Sequence, residues 1–252
     1  MREAPMSALR LDGIRSRTLG PIDLAVAAGE LVFVSGPSGS GKSLLLRAIA
    51  DLDPHEGEVW LGEEPRSRIA PSSWRRRVGL LPAEAFWWAE SVGEHLPVTM
   101  CANDHGATAA IGSNHGAGIP ATFIRLSKPL HRAPGRVSNQ PALPDPSTIA
   151  DWLDKLGFAP DVLDWSVARL STGERQRLAL VRLLAQTPEA LLLDEATANL
   201  DPSNGARVES VVETYRKAHG AAVLWVSHDP EQRKRIGGRS LIIRNARLEP
   251  EA

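Results

Sequence analysis

The chain has a single cysteine, Cys101, among 252 residues, which excludes an internal disulfide framework and suits a reducing compartment. No run approaches the roughly 18 apolar residues that would span a bilayer, and the first residues, MREAPMSALRLDG, hold no apolar stretch of the signal-peptide kind. A cytoplasmic location is therefore expected, with any membrane role acting through a partner. Charge of one sign is not in excess either. There are 29 Lys and Arg against 30 Asp and Glu, a formal net charge of −1, so no general affinity for nucleic acid or anionic lipid is implied and no direct nucleic-acid binding is expected. Apolar residues, by contrast, make up 42%, enough to drive folding of one α/β domain of moderate size.

The most specific local pattern lies near the N-terminus. Residues 30–35 (ELVFVS) read as a short buried strand and residues 43–50 (SLLLRAIA) as a helix. Between them Gly36-Pro37-Ser38-Gly39-Ser40-Gly41-Lys42-Ser43 fills the pattern G-x-x-x-x-G-K-[ST]. The glycines let the backbone wrap a phosphate closely, and the first turn of the helix offers free N–H groups and a positive dipole end. Lys42 supplies a mobile cation for β- and γ-phosphates, and Ser43 a hydroxyl for Mg²⁺. The strand and helix on either side distinguish this from a chance Gly/Ser turn and predict binding of a nucleoside triphosphate.

Residues 9–29 predict a strand, a turn at Gly20-Pro21 and a second strand over 22–26. Further strands are expected at 57–62 and 77–81, separated by a polar segment rich in Arg and Ser; the second stops at Pro82. Residues 97–146 lose all periodicity and fill with proline, glycine and histidine, which reads as an irregular insertion, either flexible or drifted in sequence. Cys101, Asp104, His105 and His115 within it lack metal-ligand spacing, so a plain loop stands beside any metal reading. Helical periodicity returns at 147: Ile149, Trp152, Leu153 and Leu156 share one face, and Gly157 comes next as a stop.

Leu170-Ser171-Thr172-Gly173-Glu174-Arg175-Gln176 opens a helical pattern over 177–185, and Ser171 with Glu174 has capping-box spacing. A well-capped helix explains those two residues but not the two strand ends farther along the chain. Residues 190–193 form a buried-strand run that ends in Asp194-Glu195, succeeded by Ala196-Thr197 and Asn199-Leu200-Asp201. A second run, 223–226, ends at Ser227-His228-Asp229. Polar, chemically capable residues at the ends of apolar strands are what α/β folds place at their ligand-binding edge.

In this order, GPSGSGKS, LSTGE, LLLDEAT with its NLD sequel, and VSHD resemble the nucleotide-binding subunit of ATP-binding cassette (ABC) transporters over most of the chain outside 97–146. The resemblance implies an α/β fold: a P-loop NTPase core of RecA-like type, with a mostly parallel sheet, an antiparallel N-terminal β subdomain and a small α-helical subdomain. The implied division is a core of 1–90 and 186–252 with a helical part at 91–185. It implies an ATPase using ATP and Mg²⁺, with Gly36 to Ser43 on the phosphates and Asp194 with Ser43 on the metal. Glu195 is then the residue that polarises attacking water, Lys42 stabilises the phosphates, and His228 holds the γ-phosphate and water in line; a structural histidine is the alternative for His228. Ser171 and Gly173 would contact the nucleotide of a second copy, and Asp201 would lie at the same interface, so a homodimer with shared sites and a separate membrane permease are the implied partners. The location implied is peripheral, on the cytoplasmic face.

Some positions depart from the family pattern. The glutamine usual after the strand at 77–81 is replaced by Pro82-Ala83-Glu84, where Ala83 coordinates nothing and Glu84 stands one residue on. The aromatic residue that stacks on adenine is missing from Gly13-Ile14-Arg15-Ser16-Arg17, leaving the guanidinium planes of Arg15 or Arg17 for that role. Thr172 replaces a glycine and Ala196 a proline. Trp87 and Trp88 come just after the altered corner, where docking to a partner helix and core packing are both open, with at most one of the two exposed. The missing glutamine and the irregular 97–146 insertion motivate a second reading, a regulatory cassette with weak turnover.

Overall fold

The computed structural model describes residues 7–16, 18–96 and 143–251. In chain order the elements are β1 (Ser7–Ser16), β2 (Leu19–Ala27), β3 (Leu31–Ser35), α1 (Lys42–Ile49), β4 (Glu56–Leu61), β5 (Glu64–Pro65), α2 (Pro71–Arg77) and β6 (Val78–Leu81). After the undescribed stretch come α3 (Pro146–Lys155), α4 (Thr172–Leu184), β7 (Ala190–Asp194), α5 (Pro202–His219), β8 (Ala222–Val226), α6 (Pro230–Ile236), β9 (Arg239–Arg244) and β10 (Arg247–Pro250). The metal reading of Cys101, Asp104, His105 and His115, most of the expected 97–146 insertion, and Arg17 fall outside the described residues.

Two apolar patterns give two sheets. β1, β2 and β4 bury alternate side chains and form an antiparallel sheet in the order β2-β1-β4-β5. β3, β7 and β8 are buried at every position and occupy the middle of a second sheet, ordered β10-β9-β3-β8-β7-β6, in which only the outer β10 runs antiparallel. Period-two alternation then divides the central strands between two cores. Phe33, Leu191, Leu193, Val223 and Trp225 face a cluster completed by α3, α4 and α5. Val32, Val34, Leu192, Leu224 and Val226 face a cluster shared with α1, α2 and the antiparallel sheet. The helices at 146–184 thus pack on one face of the central sheet and share its apolar cluster.

Two local expectations are corrected. Gly20-Pro21 is not a turn: the chain turns at Thr18, and both residues belong to β2. β2 is an edge strand, where a residue without an N–H breaks no ladder, and Gly20 donates instead to Ala246 O at 2.8 Å. The Arg/Ser-rich segment between β4 and β6 is not merely polar either, because it contains α2, begun by a proline in its first turn. Its anchor is Trp74, fully buried, whose Nε1–H donates to Ile49 O at 2.9 Å and so ties α2 to the end of α1. Among the described residues, no helix is long and apolar enough to cross a membrane.

Trp74→Ala removes both a large buried side chain and that bond, and should lower the unfolding free energy by about 3–5 kcal/mol. Trp74→Phe keeps most of the volume but strands Ile49 O and should cost about 1–3 kcal/mol. Urea midpoints of the two variants check the order.

Candidate active site

Parallel pairing in register brings four strand ends to one edge. Val34 of β3 and Asp194 of β7 both lie beside Val226 of β8, and Leu193 of β7 lies beside Leu81 of β6. The loops that leave these ends are residues 36–43, 82–84, 195–201 and 227–229. Most of the catalytic expectations therefore meet at the carboxyl edge of the sheet.

The phosphate loop has a backbone that needs glycine. Gly36 has φ 143, and a Cβ there would sit 2.8 Å from Ile243 O and 2.9 Å from Ser40 Oγ. Gly41 has φ 100 and ends the loop as the left-handed residue before α1, where a Cβ would meet Leu19 Cδ2 at 2.7 Å. Pro37, Ser38 and Gly39 are exposed along the loop's rim. Lys42 is buried and folds its ammonium back onto Gly36 O and Pro37 O at 2.9 and 3.0 Å. Burial lowers its pKa, while the carboxylates of Glu195 and Asp194 act to raise it. Ser40 Oγ is buried with no hydrogen-bond partner in a loop otherwise built around backbone polar groups. An orphaned hydroxyl and a cation held only by carbonyls fit a phosphate anion.

Asp194 closes β7 with its side chain buried and hydrogen-bonded to the Ser43 hydroxyl. Burial pushes its carboxyl pKa up, the Ser43 bond opposes this, and neighbouring Glu195 adds to it. A buried carboxylate beside a hydroxyl at a phosphate loop is the hard-oxygen donor set that suits Mg²⁺, which keeps several water or phosphate ligands of its own. Glu195 comes next, in the left-handed region at φ 51, unusual for a residue with a side chain. Its N–H donates to Val226 O at 3.1 Å and its carbonyl accepts from Ala198 at 3.0 Å, which hold that conformation. The result is that Glu195 Oε1 lies 3.1 Å from His228 Nε2, both side chains partly open to solvent.

Ser171 and Gly173 are placed apart from this cluster, at the start of α4. The capping box expected from their spacing is present: Glu174 N–H donates to Ser171 Oγ at 3.3 Å, and Ser171 N–H to Glu174 Oε2 at 2.8 Å. The Ser171 N–H and hydroxyl, each donating to Glu174 Oε2 at 2.8 Å, pull the Glu174 carboxyl below its usual range. Gly173 packs near Leu200 and Asn199, so the signature turn abuts the segment after the carboxylates. Asp201 in that segment is exposed and caps α5, accepting from the Ser203 hydroxyl at 2.7 Å and the Asn204 N–H at 3.1 Å, which hold its carboxyl pKa well below normal.

The altered corner is built differently from the site itself. Ala83 is half-buried and Glu84 exposed. Gln176 of α4, buried and not singled out by sequence reasoning, donates to Pro82 O at 3.1 Å and ties the signature helix to the corner. Phe86 and Trp88 are 73% and 64% exposed, while Trp87 packs against the core. The Arg182 guanidinium lies 4.8 Å from each tryptophan ring and donates to Phe86 O at 2.8 Å. His95 Nε2 accepts from the N–H groups of Trp88 and Ala89, each at 3.0 Å, so its proton sits on Nδ1, 2.9 Å from Ser91 O. One deeply placed imidazole therefore fixes the exposed aromatic ledge.

Comparison with known proteins gives the family and the fold. The family model described as ABC transporter matches residues 19–198. The probable iron export ATP-binding protein FetA of Escherichia coli is 29% identical over 218 residues, 86% of this chain and 80% of that protein. A probable anion import ATP-binding protein of Haloferax volcanii is 33% identical over 232 residues, 89% of this chain and 71% of that protein. An ATP-binding cassette solved as a dimer in a post-hydrolysis state, bound to ADP and Pi, superposes with a TM-score of 0.70 over 97% of both chains at 22% identity, a likeness of fold.

A buried carboxylate whose charge is disfavoured weakens the fold at neutral pH, because the raised folded-state pKa of Asp194 contributes stability only once pH falls toward it. Asp194→Asn should therefore raise the thermal midpoint of the nucleotide-free protein by about 2–4 °C, as expected for roughly 1 kcal/mol in a domain of this size, and, on the expectation that Asp194 holds Mg²⁺, lower ATP turnover. Differential scanning fluorimetry beside an ATPase assay checks both halves; a lowered midpoint contradicts the electrostatic assignment. With its phosphate loop, carboxylate strand and signature helix inside the matched residues, the chain belongs to the ABC transporter family, as one of its ATP-binding cassettes.

Proposed function

We propose that the chain is the motor subunit of a transporter whose membrane permease is a separate polypeptide, and that two copies bind ATP between them. The observation that carries the reading is the Glu195–His228 pair at 3.1 Å, set beside Asp194, Ser43 and Lys42 at one sheet edge. Glu195 polarises the water that attacks the γ-phosphorus in line, and His228 keeps Glu195 and the phosphate oxygen in position. Lys42 moves from its carbonyl partners to the β- and γ-phosphates. Ser43 and Asp194 are the residues that would hold Mg²⁺, whose chemistry when bound is neutralisation of phosphate charge.

The signature turn supports a composite site. Ser171 is exposed at the N-terminus of α4, where first-turn N–H groups and the helix dipole favour an anion, and within this chain its side chain bonds only its own cap. A second copy facing it would bring a γ-phosphate to Ser171 and Gly173, with Asp201 beside the join. The solved relative is itself a dimer.

The exposed Phe86 and Trp88 ledge supports docking of a permease segment and a peripheral position on the cytoplasmic face of the membrane. The names of relatives divide between export and import and among iron, phosphate and thiamine. That variety fits a motor whose chemistry touches nucleotide and leaves cargo to the permease. Ala83 favours the alternative of a regulatory cassette with weak turnover, since the corner lacks the polar side chain the family places there.

Glu195→Gln should lower ATP turnover by about 10² to 10⁴-fold and leave nucleotide binding intact, measured by steady-state hydrolysis beside equilibrium binding of labelled ATP. An unchanged rate removes Glu195 from the reaction. Specific activity of the unaltered chain should rise with protein concentration, because the site forms from two copies; a flat specific activity contradicts the shared site. Binding without turnover, with and without a permease, would favour the regulatory reading.

A further inference from the structure

Gln232, in α6, is 1% exposed although it carries a primary amide. Its Oε1 accepts from Ser227 Oγ at 2.6 Å, and its Nε2 donates to Thr197 Oγ1 at 2.8 Å and to Glu209 Oε1 at 2.9 Å. Both N–H groups and the carbonyl are thus engaged, which satisfies an amide that would otherwise be costly to bury. The three partners come from three places. Ser227 immediately precedes His228, Thr197 is two residues past Glu195, and Glu209 belongs to α5, where Arg235 also grips it at 2.7 Å.

Geometry explains why such a tie matters. The sheet fixes the backbone as far as Asp194 and Val226, its last paired residues in β7 and β8. Glu195 and His228 lie beyond that rung, on separate loops, so sheet pairing alone does not set the distance between their side chains. Ser227 is held further by its carbonyl, which accepts from Arg233 Nη1 at 3.0 Å, and its Oγ accepts from Asp229 N–H at 3.2 Å. Gln232 bridges the two loops from behind, with its carbonyl on Ser227 and an N–H on Thr197, in a low-dielectric setting where each bond resists distortion.

We propose that Gln232 is a positioning residue for ATP hydrolysis, setting the separation of Glu195 and His228 by binding the loop after β7 to the loop after β8. The inference rests on the roles of Glu195 and His228 in the proposed function. Gln232 itself touches neither the nucleotide loop nor the reacting pair; it acts through Thr197 and Ser227. A glutamate at this position would match the shape but set a carboxylate against Glu209, and leucine would keep the volume and lose all three bonds.

The test is a kcat and KM comparison on the full chain for Gln232→Leu, Thr197→Val, Thr197→Ser, Glu195→Gln and His228→Ala, with ADP binding and a melting curve for each. Gln232→Leu and Thr197→Val should each lower kcat by about 10 to 100-fold, the scale of a misplaced catalytic group, with KM and ADP affinity within about twofold. Thr197→Ser, which keeps the hydroxyl, should restore kcat. A purely structural amide would shift the melting curve and leave kcat of the folded fraction unchanged. If Gln232→Leu does not fold, the two Thr197 variants decide the matter. Full kcat in Thr197→Val, or no rescue in Thr197→Ser, overturns the positioning role provided Glu195→Gln and His228→Ala are inactive. Activity retained in those last two would instead overturn the site reading on which it rests.

Discussion

The parallel register of β6, β7, β8 and β3 is the constraint on which the rest of this molecule depends. Because side chains alternate along a strand, a slip of one residue in any pair would exchange the two buried faces and turn Asp194 away from Ser43. With apolar side chains on both faces such a slip would still bury apolar groups, so the alignment is set by the unlike shapes of the two clusters and by the polar residues at the strand ends. Phe33 and Val34, Leu192 and Leu193, Leu224 and Trp225 each divide between the two clusters, so the two faces of each central strand present different side chains to fit. The chemistry sits at the end of this sheet because that is where the alignment is fixed but the backbone is free to leave it.

At that edge local preferences are violated together. Asp194 is buried as a carboxylate, Glu195 occupies a left-handed conformation, and Lys42 is withdrawn from water with carbonyls as its partners. Each costs stability by itself. The two apolar clusters offset the sum, and the strain holds charged groups where a phosphate and its metal would relieve it. The polar network through Gln232 is the same strategy one layer further in: buried, fully bonded, and joined to the loops that carry Glu195 and His228.

The corner after β6 obeys another logic. Where the family has a polar side chain, this chain has Ala83, and the neighbouring elements compensate with backbone contacts: Gln176 grips Pro82 O, and His95 gathers the N–H groups of Trp88 and Ala89. Arg182 beneath the tryptophans is withdrawn from water, which lowers its pKa. The exposed aromatic ledge of Phe86 and Trp88 thus rests on Arg182 of the helix that begins at the signature turn.

Sequence alone determined the features encoded within a few residues. The phosphate loop is written in glycines at fixed offsets, the α4 cap in Ser171 and Glu174 three apart, and the central strands in unbroken apolar runs, so each carries its signal inside its own segment. The same reading mistook Gly20-Pro21 for a turn, since nothing local says that β2 lies at an edge, and passed over α2, whose only large apolar residue is held by Ile49 O from another helix. Only the tertiary structure decided the spacing of Glu195 and His228 and the use of Gln176 and Gln232. Gln232 finds Thr197 and Glu209 at separations of 35 and 23 residues, and Gln176 finds Pro82 at 94. No periodicity links such residues. They meet because the sheet brings distant strand ends together and the buried amides, once there, require partners.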